Sequence, residues 1–175
     1  MSLPEDIQEV LPLTPAQEGM LFHVLETPEQ RGQYVAVLAC HLHGPLDTVR
    51  LQAVMHDAGS ARDAYRAGVV WECAKQPVQA IRTKVVLPFS TLDWTATEDF
   101  EPRLEPFVAQ EQQRRFDLAR APLMVVHLIR CGPDHHILVW TVHHLISDGW
   151  STSVVMEDIL QRYGGKAAAR EEIPM

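Results

Sequence analysis

The stretch Ile137-Leu138-Val139-Trp140-Thr141-Val142-His143-His144-Leu145-Ile146-Ser147-Asp148-Gly149-Trp150-Ser151 joins an apolar run to two adjacent histidines and a glycine turn. Side chains alternate across a strand, so Leu138, Trp140, Val142 and His144 share one face, and Ile137, Val139, Thr141 and His143 the other. The two histidines therefore diverge. One can meet a reaction centre while the other packs or hydrogen-bonds behind the strand. Asp148-Gly149 turns the chain, and Ser151 or Ser153 is placed to cap a helix whose Val154, Val155, Ile159 and Tyr163 form an apolar stripe ending at Gly164-Gly165. Strand, histidine, glycine turn and helix together bring an imidazole and a backbone N–H into one small volume, a combination suited to acyl transfer.

The flanking sequence supplies the rest of a layered fold. Thr14, Pro15 and Gln17 give an N-cap, a first-turn proline and a capping-box partner for a helix from Pro15 to about Leu25, with Met20, Leu21 and Val24 toward the core. A strand is predicted over Tyr34–Leu42. The turn Gly44-Pro45-Leu46-Asp47 leads into a helix with Leu51, Val54, Met55 and Ala58 on one face, which Gly59 ends. Short strands are expected over Gly68–Cys73, Val78–Ile81 and Lys84–Leu87, before Pro88. Phe100, Leu104, Phe107, Val108 and Glu111 are spaced for a helix reaching about Arg115, with Pro102 and Pro106 obscuring its start. Leu123–Arg130 and Ile137–His144 form two strands joined at Gly132-Pro133-Asp134. This intermixing predicts an α/β fold, helices packed on a mixed β-sheet in an α/β sandwich.

Composition narrows the function classes. A chain of 175 residues with 46% hydrophobic content suits one globular unit. The net charge of −8, from 15 basic and 23 acidic side chains, argues against nucleic acid and against an anionic membrane. Cys40, Cys73 and Cys131 are odd in number and far apart, which disfavours a disulfide framework and fits a reducing cytoplasm. There is no basic leader at Met1 and no apolar run of membrane length, so a soluble cytoplasmic chain is expected. No metal is expected: His135-His136 and His143-His144 are adjacent pairs that diverge on a strand, with no HxxxH or HExxH spacing. Ser147 and Ser151 lie in no GxSxG elbow, so a serine nucleophile is disfavoured. Arg114, Arg115 and Arg120 form a local basic group, read as a solvated helix end rather than a partner surface.

Four ordered segments carry a family resemblance. His143-His144-Leu145-Ile146-Ser147-Asp148-Gly149 resembles the HHxxxDG motif of the condensation domains of nonribosomal peptide synthetases. The opening Leu11-Pro12-Leu13-Thr14-Pro15-Ala16-Gln17-Glu18-Gly19-Met20-Leu21-Phe22-His23 resembles the family's first motif. Arg62-Asp63-Ala64-Tyr65-Arg66 resembles its second, and Phe116-Asp117-Leu118-Ala119-Arg120-Ala121-Pro122-Leu123 the segment before the active-site strand. Two positions depart from the family's pattern: Arg62 stands where a histidine is usual, and Val125 where an arginine commonly follows.

The resemblance implies a chloramphenicol acetyltransferase-like fold of two lobes, of which residues 1–165 supply the N-terminal lobe. Residues 166–175 are expected to be a frayed tail or the start of the inter-lobe linker. It implies amide formation between aminoacyl or peptidyl thioesters carried on phosphopantetheine by donor and acceptor peptidyl carrier proteins, with no directly bound cofactor. His144 and Gly149 would be catalytic, the latter through its N–H. His143 would order the strand, and Asp148 would pair with Arg66 to fix the loop. The C-terminal lobe is the third implied partner, and without it the chain is expected to be inactive and prone to self-association through exposed apolar surface. Alternatives are a non-catalytic interaction lobe, a CoA-dependent acyltransferase and an epimerization domain. A heterocyclizing relative would carry an aspartate at the position of His143.

Overall fold

The computed structural model describes residues 3–72, 75–96 and 99–165. Cys73, the expected end of one strand, and the tail over 166–175 lie outside them. The elements run β1 (Ile7–Pro12), α1 (Pro15–Glu26), β2 (Val35–His43), α2 (Thr48–Ser60), a 3-10 turn (Asp63–Arg66), β3 (Ala67–Val70), β4 (Val78–Arg82), β5 (Phe89–Asp93), α3 (Glu101–Gln112), β6 (Met124–Gly132), β7 (His135–His143) and α4 (Gly149–Tyr163). The strands form two sheets, ordered β1-β4-β3 and β2-β7-β6-β5. All pairings are antiparallel except β5 with β6, so the larger sheet is mixed, as expected.

Register decides which side chains share a layer. Met124, Val126 and Leu128 of β6 lie opposite Val142, Trp140 and Leu138 of β7. Beside these on β2 stand Ala36, Leu38 and Cys40. This face builds the main core with Leu21 of α1, Leu51 and Met55 of α2, and Val155 and Ile159 of α4. The other face carries Ile129, Ile137 and Val139, covered by Phe100 and by Leu104 and Phe107 of α3, with Trp94 between. The central strand β7 is thus sandwiched between helical layers, which is why its sequence is an apolar run with no polar face.

Local chemistry explains the helix ends. The Thr14 side chain accepts from Gln17 N–H while Gln17 Oε1 accepts from Thr14 N–H, a complete capping box. Asp47 caps α2, and its own N–H donates to the Tyr163 hydroxyl of α4. Pro102 falls in the first turn of α3 and Pro106 inside it, so the helix tolerates both.

Several expectations are corrected. A strand to which no expectation is attached, β1, forms over Ile7–Pro12; it is mostly exposed and lacks the alternation of a half-buried strand. Lys84–Leu87 is not a strand; pairing resumes after Pro88, where β5 runs parallel to β6. Gly59 does not end α2. It is buried within the helix, where an added Cβ would stand 3.2 Å from Met124 Cε, so it serves close packing instead. Val154 is 48% exposed and falls off the buried stripe, which consists of Val155 and Ile159. Neither serine caps α4: Asp148 is the N-cap, accepting from Ser151 N–H at 2.7 Å.

Candidate active site

The two histidines part as alternation predicts, and their surroundings differ sharply. His143 is 2% exposed, with Phe116 edge-on at 6.1 Å and Tyr34 tilted at 6.4 Å between ring centroids. Its Nδ1 accepts from Leu145 N–H at 3.1 Å, so that nitrogen carries a lone pair and the neutral ring holds its proton on Nε2. Burial, then the charge of neighbouring His144, lowers its pKa from 6.5 to about 4. His143 is a neutral packing group that braces the turn.

His144 lies just beyond β7 and is half-buried. Its backbone N–H donates to the Tyr34 carbonyl at 2.8 Å, fixing the peptide against the start of β2. The ring Nδ1 lies 3.0 Å from the Ser147 carbonyl oxygen, which can only accept, so the Nδ1 proton is committed there. Nε2 is left with the lone pair. A ring oriented by a carbonyl on one nitrogen and basic at the other is the arrangement a general base needs.

The loop beneath His144 is held from several directions. Gln17 Nε2 donates to the Leu145 carbonyl at 2.8 Å and also reaches Gln79 Oε1 at 3.2 Å, so the capping-box residue of α1 ties the loop to β4. The Tyr65 hydroxyl lies 3.2 Å from Ser147 Oγ, which in turn lies 3.0 Å from Thr152 Oγ1 of α4. Leu145, Ile146 and Ser147 are buried. Ser147 is therefore a structural hydroxyl within this network. Gly149 opens α4 and is exposed, and its N–H, like that of Trp150, belongs to the first turn, where no intrahelical acceptor exists.

The expected Asp148–Arg66 pair is not formed. Asp148 is exposed and spends its carboxylate on the α4 cap, and the hydrogen bonds from Ser151 hold its pKa below the usual aspartate value. Arg66 is 8% exposed and points the other way, to Asp63, the Arg82 carbonyl and Gln8 Oε1. Arg66 thus joins the 3-10 turn to the end of the smaller sheet. The bridge to α4 comes instead from Arg62, the departure from the family's second motif, which meets Asp158 at 2.7 Å; Asp158 also holds Arg162 at 2.7 Å. Val125, the other departure, is buried on the α3 side of β6. Arg114 and Arg120 each have a carboxylate partner, Glu111 and Asp117.

Nothing in the linear sequence marks Gln17, Tyr34 or Tyr65 as neighbours of the loop, since each reaches it across a separation of 82 residues or more. A buried polar network is equally invisible in the sequence pattern. Glu111, 3% exposed, accepts from Arg114 at 2.6 and 2.7 Å and from Thr141 Oγ1 at 2.9 Å, with His127 Nε2 at 3.4 Å. Burial works against its ionisation, but the Arg114 and Thr141 hydrogen bonds prevail and its pKa is lowered.

This fold and site define a class: an α/β fold presenting an oriented histidine at the end of a central strand, beside a helix N-terminus. The chain belongs to the condensation domain family, whose model matches residues 7–174. It is 34% identical over 160 residues to one component of the linear gramicidin synthase of Brevibacillus parabrevis, covering 90% of this chain and 2% of that one. It is 31% identical over 161 residues to tyrocidine synthase 2 of the same organism, covering 91% and 4%. Among solved structures, it resembles the first condensation domain of the calcium-dependent antibiotic synthetase in complex with a substrate analogue, with TM-score 0.82, 18% identity, and coverage of 95% of this chain and 42% of that one. The starter condensation domain of rhizomide synthetase gives TM-score 0.82 at 17% identity, with 95% and 43% covered. The chain therefore spans a small fraction of the curated synthetases and about two fifths of the solved condensation domains. No helix among the described residues is long and apolar enough to cross a membrane.

Proposed function

We propose that this chain is the N-terminal lobe, residues 1–165, of a two-lobed condensation domain and supplies the HHxxxDG half of an amide-forming site. The observation that carries this reading is His144: its Nδ1 is committed to the Ser147 carbonyl, leaving Nε2 basic at the strand end. The substrates are aminoacyl or peptidyl thioesters tethered by phosphopantetheine to donor and acceptor peptidyl carrier proteins. The acceptor α-amine nitrogen adds to the donor thioester carbonyl carbon. The C–N bond forms, the C–S bond breaks, and the proton lost by nitrogen ends on the departing sulfur as a thiol.

An α-amine with a pKa of about 8 is already partly neutral near physiological pH, so the chemistry asks little of its base. His144 Nε2 takes the amine proton as the C–N bond forms and passes it toward the thiolate. The Gly149 N–H donates to the oxyanion of the tetrahedral intermediate. Holding two tethered reactants in line is the larger contribution. His143, Asp148 and Arg66 act indirectly: the first braces the turn, the second caps α4, and the third anchors the 3-10 turn next to Tyr65.

The exposure of Trp150 and Val154, at 81% and 48% on α4, supports a missing partner surface, as does exposed Phe22 on α1. In this reading the C-terminal lobe covers them, and the lone chain self-associates through them. The test is a two-lobed enzyme containing this chain, assayed with both carriers loaded and the product read by mass spectrometry. His144→Ala is expected to give no amide product with an unchanged circular dichroism spectrum; near-normal product would overturn the assignment. The 175-residue chain alone is expected to give none. Turnover without a C-terminal lobe would overturn the lobe reading.

A further inference from the structure

At the opposite end of β7 from His144, the pairing of two strands assembles a constellation that the acyl-transfer site does not use. His41 and His43 sit two residues apart on β2 and so share a face, and His43 lies directly opposite His135 of β7. His41 Nδ1 and His135 Nε2 are 3.0 Å apart, and one ring nitrogen from each of the three histidines falls within 4.8 Å of the others. His41 and His43 are exposed and His135 is half-buried, so the group opens to solvent.

We propose that His41, His43 and His135 form a binding site for a borderline divalent transition ion of the zinc class. Three imidazoles with an open position match the donor preference of zinc, nickel and cobalt rather than of magnesium or calcium. With metal–nitrogen bonds of about 2.0–2.1 Å, tetrahedral ligand atoms stand ~3.4 Å apart. The observed spread, 3.0 Å at its short end and at most 4.8 Å, brackets that value, so ring rotations suffice to close the site. The strand register holds all three Cα positions, and Phe100 braces the His135 ring edge-on at 5.0 Å. The carboxylate of Glu101, in the first turn of α3, is close enough to act on the charge of His135. The bound ion would clamp the edge strand β2 to β7, and over nine residues of strand it lies roughly 30 Å from His144.

The test uses the tag-free chain, since an affinity tag of histidines would mask the site. Titration with cobalt(II), followed by visible absorption, and with zinc(II), followed by calorimetry, is expected to show one strong site per chain. His43→Asn and His135→Asn are each expected to weaken binding more than about tenfold. His56→Asn, at a half-buried histidine on α2, is expected to leave it unchanged. Absence of a stoichiometric site, equal binding by wild type and both cluster variants, or equal loss in the His56 control would overturn the proposal. In a two-lobed enzyme, His43→Asn is expected to retain amide formation. The outcome at this site is thus independent of the outcome for His144→Ala.

Discussion

Acidification isolates the contribution of His143. Its folded pKa is about 4 against 6.5 for an unperturbed ring, with burial as the main cause and the charge of His144 second. A lowered histidine pKa means that the unfolded chain binds the proton first. The fold is therefore unpenalised above the unfolded pKa, loses stability as the pH falls below it, and levels off only below the folded pKa. Carried from about pH 7.5 down to about pH 4.5, the two proton affinities give a loss on the order of 2 to 3 kcal/mol, which levels off below the folded pKa. The geometry argues the same way, because protonating Nδ1 would set an N–H against the Leu145 N–H that now donates to it. Urea unfolding at a series of pH values measures the effect, and His143→Gln is the comparison, since an amide does not titrate. Glu111 and Asp158, with lowered pKa values of their own, add acid sensitivity to both proteins and cancel in the difference. The wild type is expected to lose more stability than the variant by the stated amount. Parallel pH profiles, or an NMR titration placing the His143 ring near its unperturbed value, would refute the burial argument.

Two further substitutions separate interactions that the sequence alone would confuse. Asp148→Ala is expected to lower the urea midpoint modestly through loss of the α4 cap, and its effect is expected to add to that of Arg66→Gln; a coupling between the two in a double-mutant cycle would show that they do pair. Glu111→Gln keeps a partner for Thr141 but removes the anion facing Arg114, at an expected cost of about 2 kcal/mol, below the range for a fully buried pair because Arg114 is 33% exposed. That variant should also lose part of the acid sensitivity below the ordinary carboxylate pKa, where Glu111 ceases to stabilise the fold; equal stability to wild type in chemical denaturation at neutral pH would contradict this.

What the sequence discloses and what it hides follow from the range of the interactions involved. Thr14 and Gln17 declare a helix start within four residues, and the apolar run of β7 declares a central strand, because capping and strand burial are local or one-dimensional signals. The alternation that sends His143 and His144 apart is equally local. β1 and β5 escape such a reading because neither carries a periodic apolar pattern: each takes its strand state from a partner far along the chain, β4 and β6. The Asp148–Arg66 pairing shows the limit of motif inheritance, for matching two residue types does not fix which carboxylate each cation meets. Here Asp63 lies three residues from Arg66 and an open helix N-terminus adjoins Asp148, so both charges find nearer partners. The histidine trio makes the same point in reverse. His135 and His136 read as a diverging pair with no ligand spacing, and they do diverge; His135 acquires two imidazole neighbours only because β2 pairs with β7 across 94 residues. Spacing along β2 does put His41 and His43 on one face, but the third imidazole is found only by cross-strand register, once the partner strands are known.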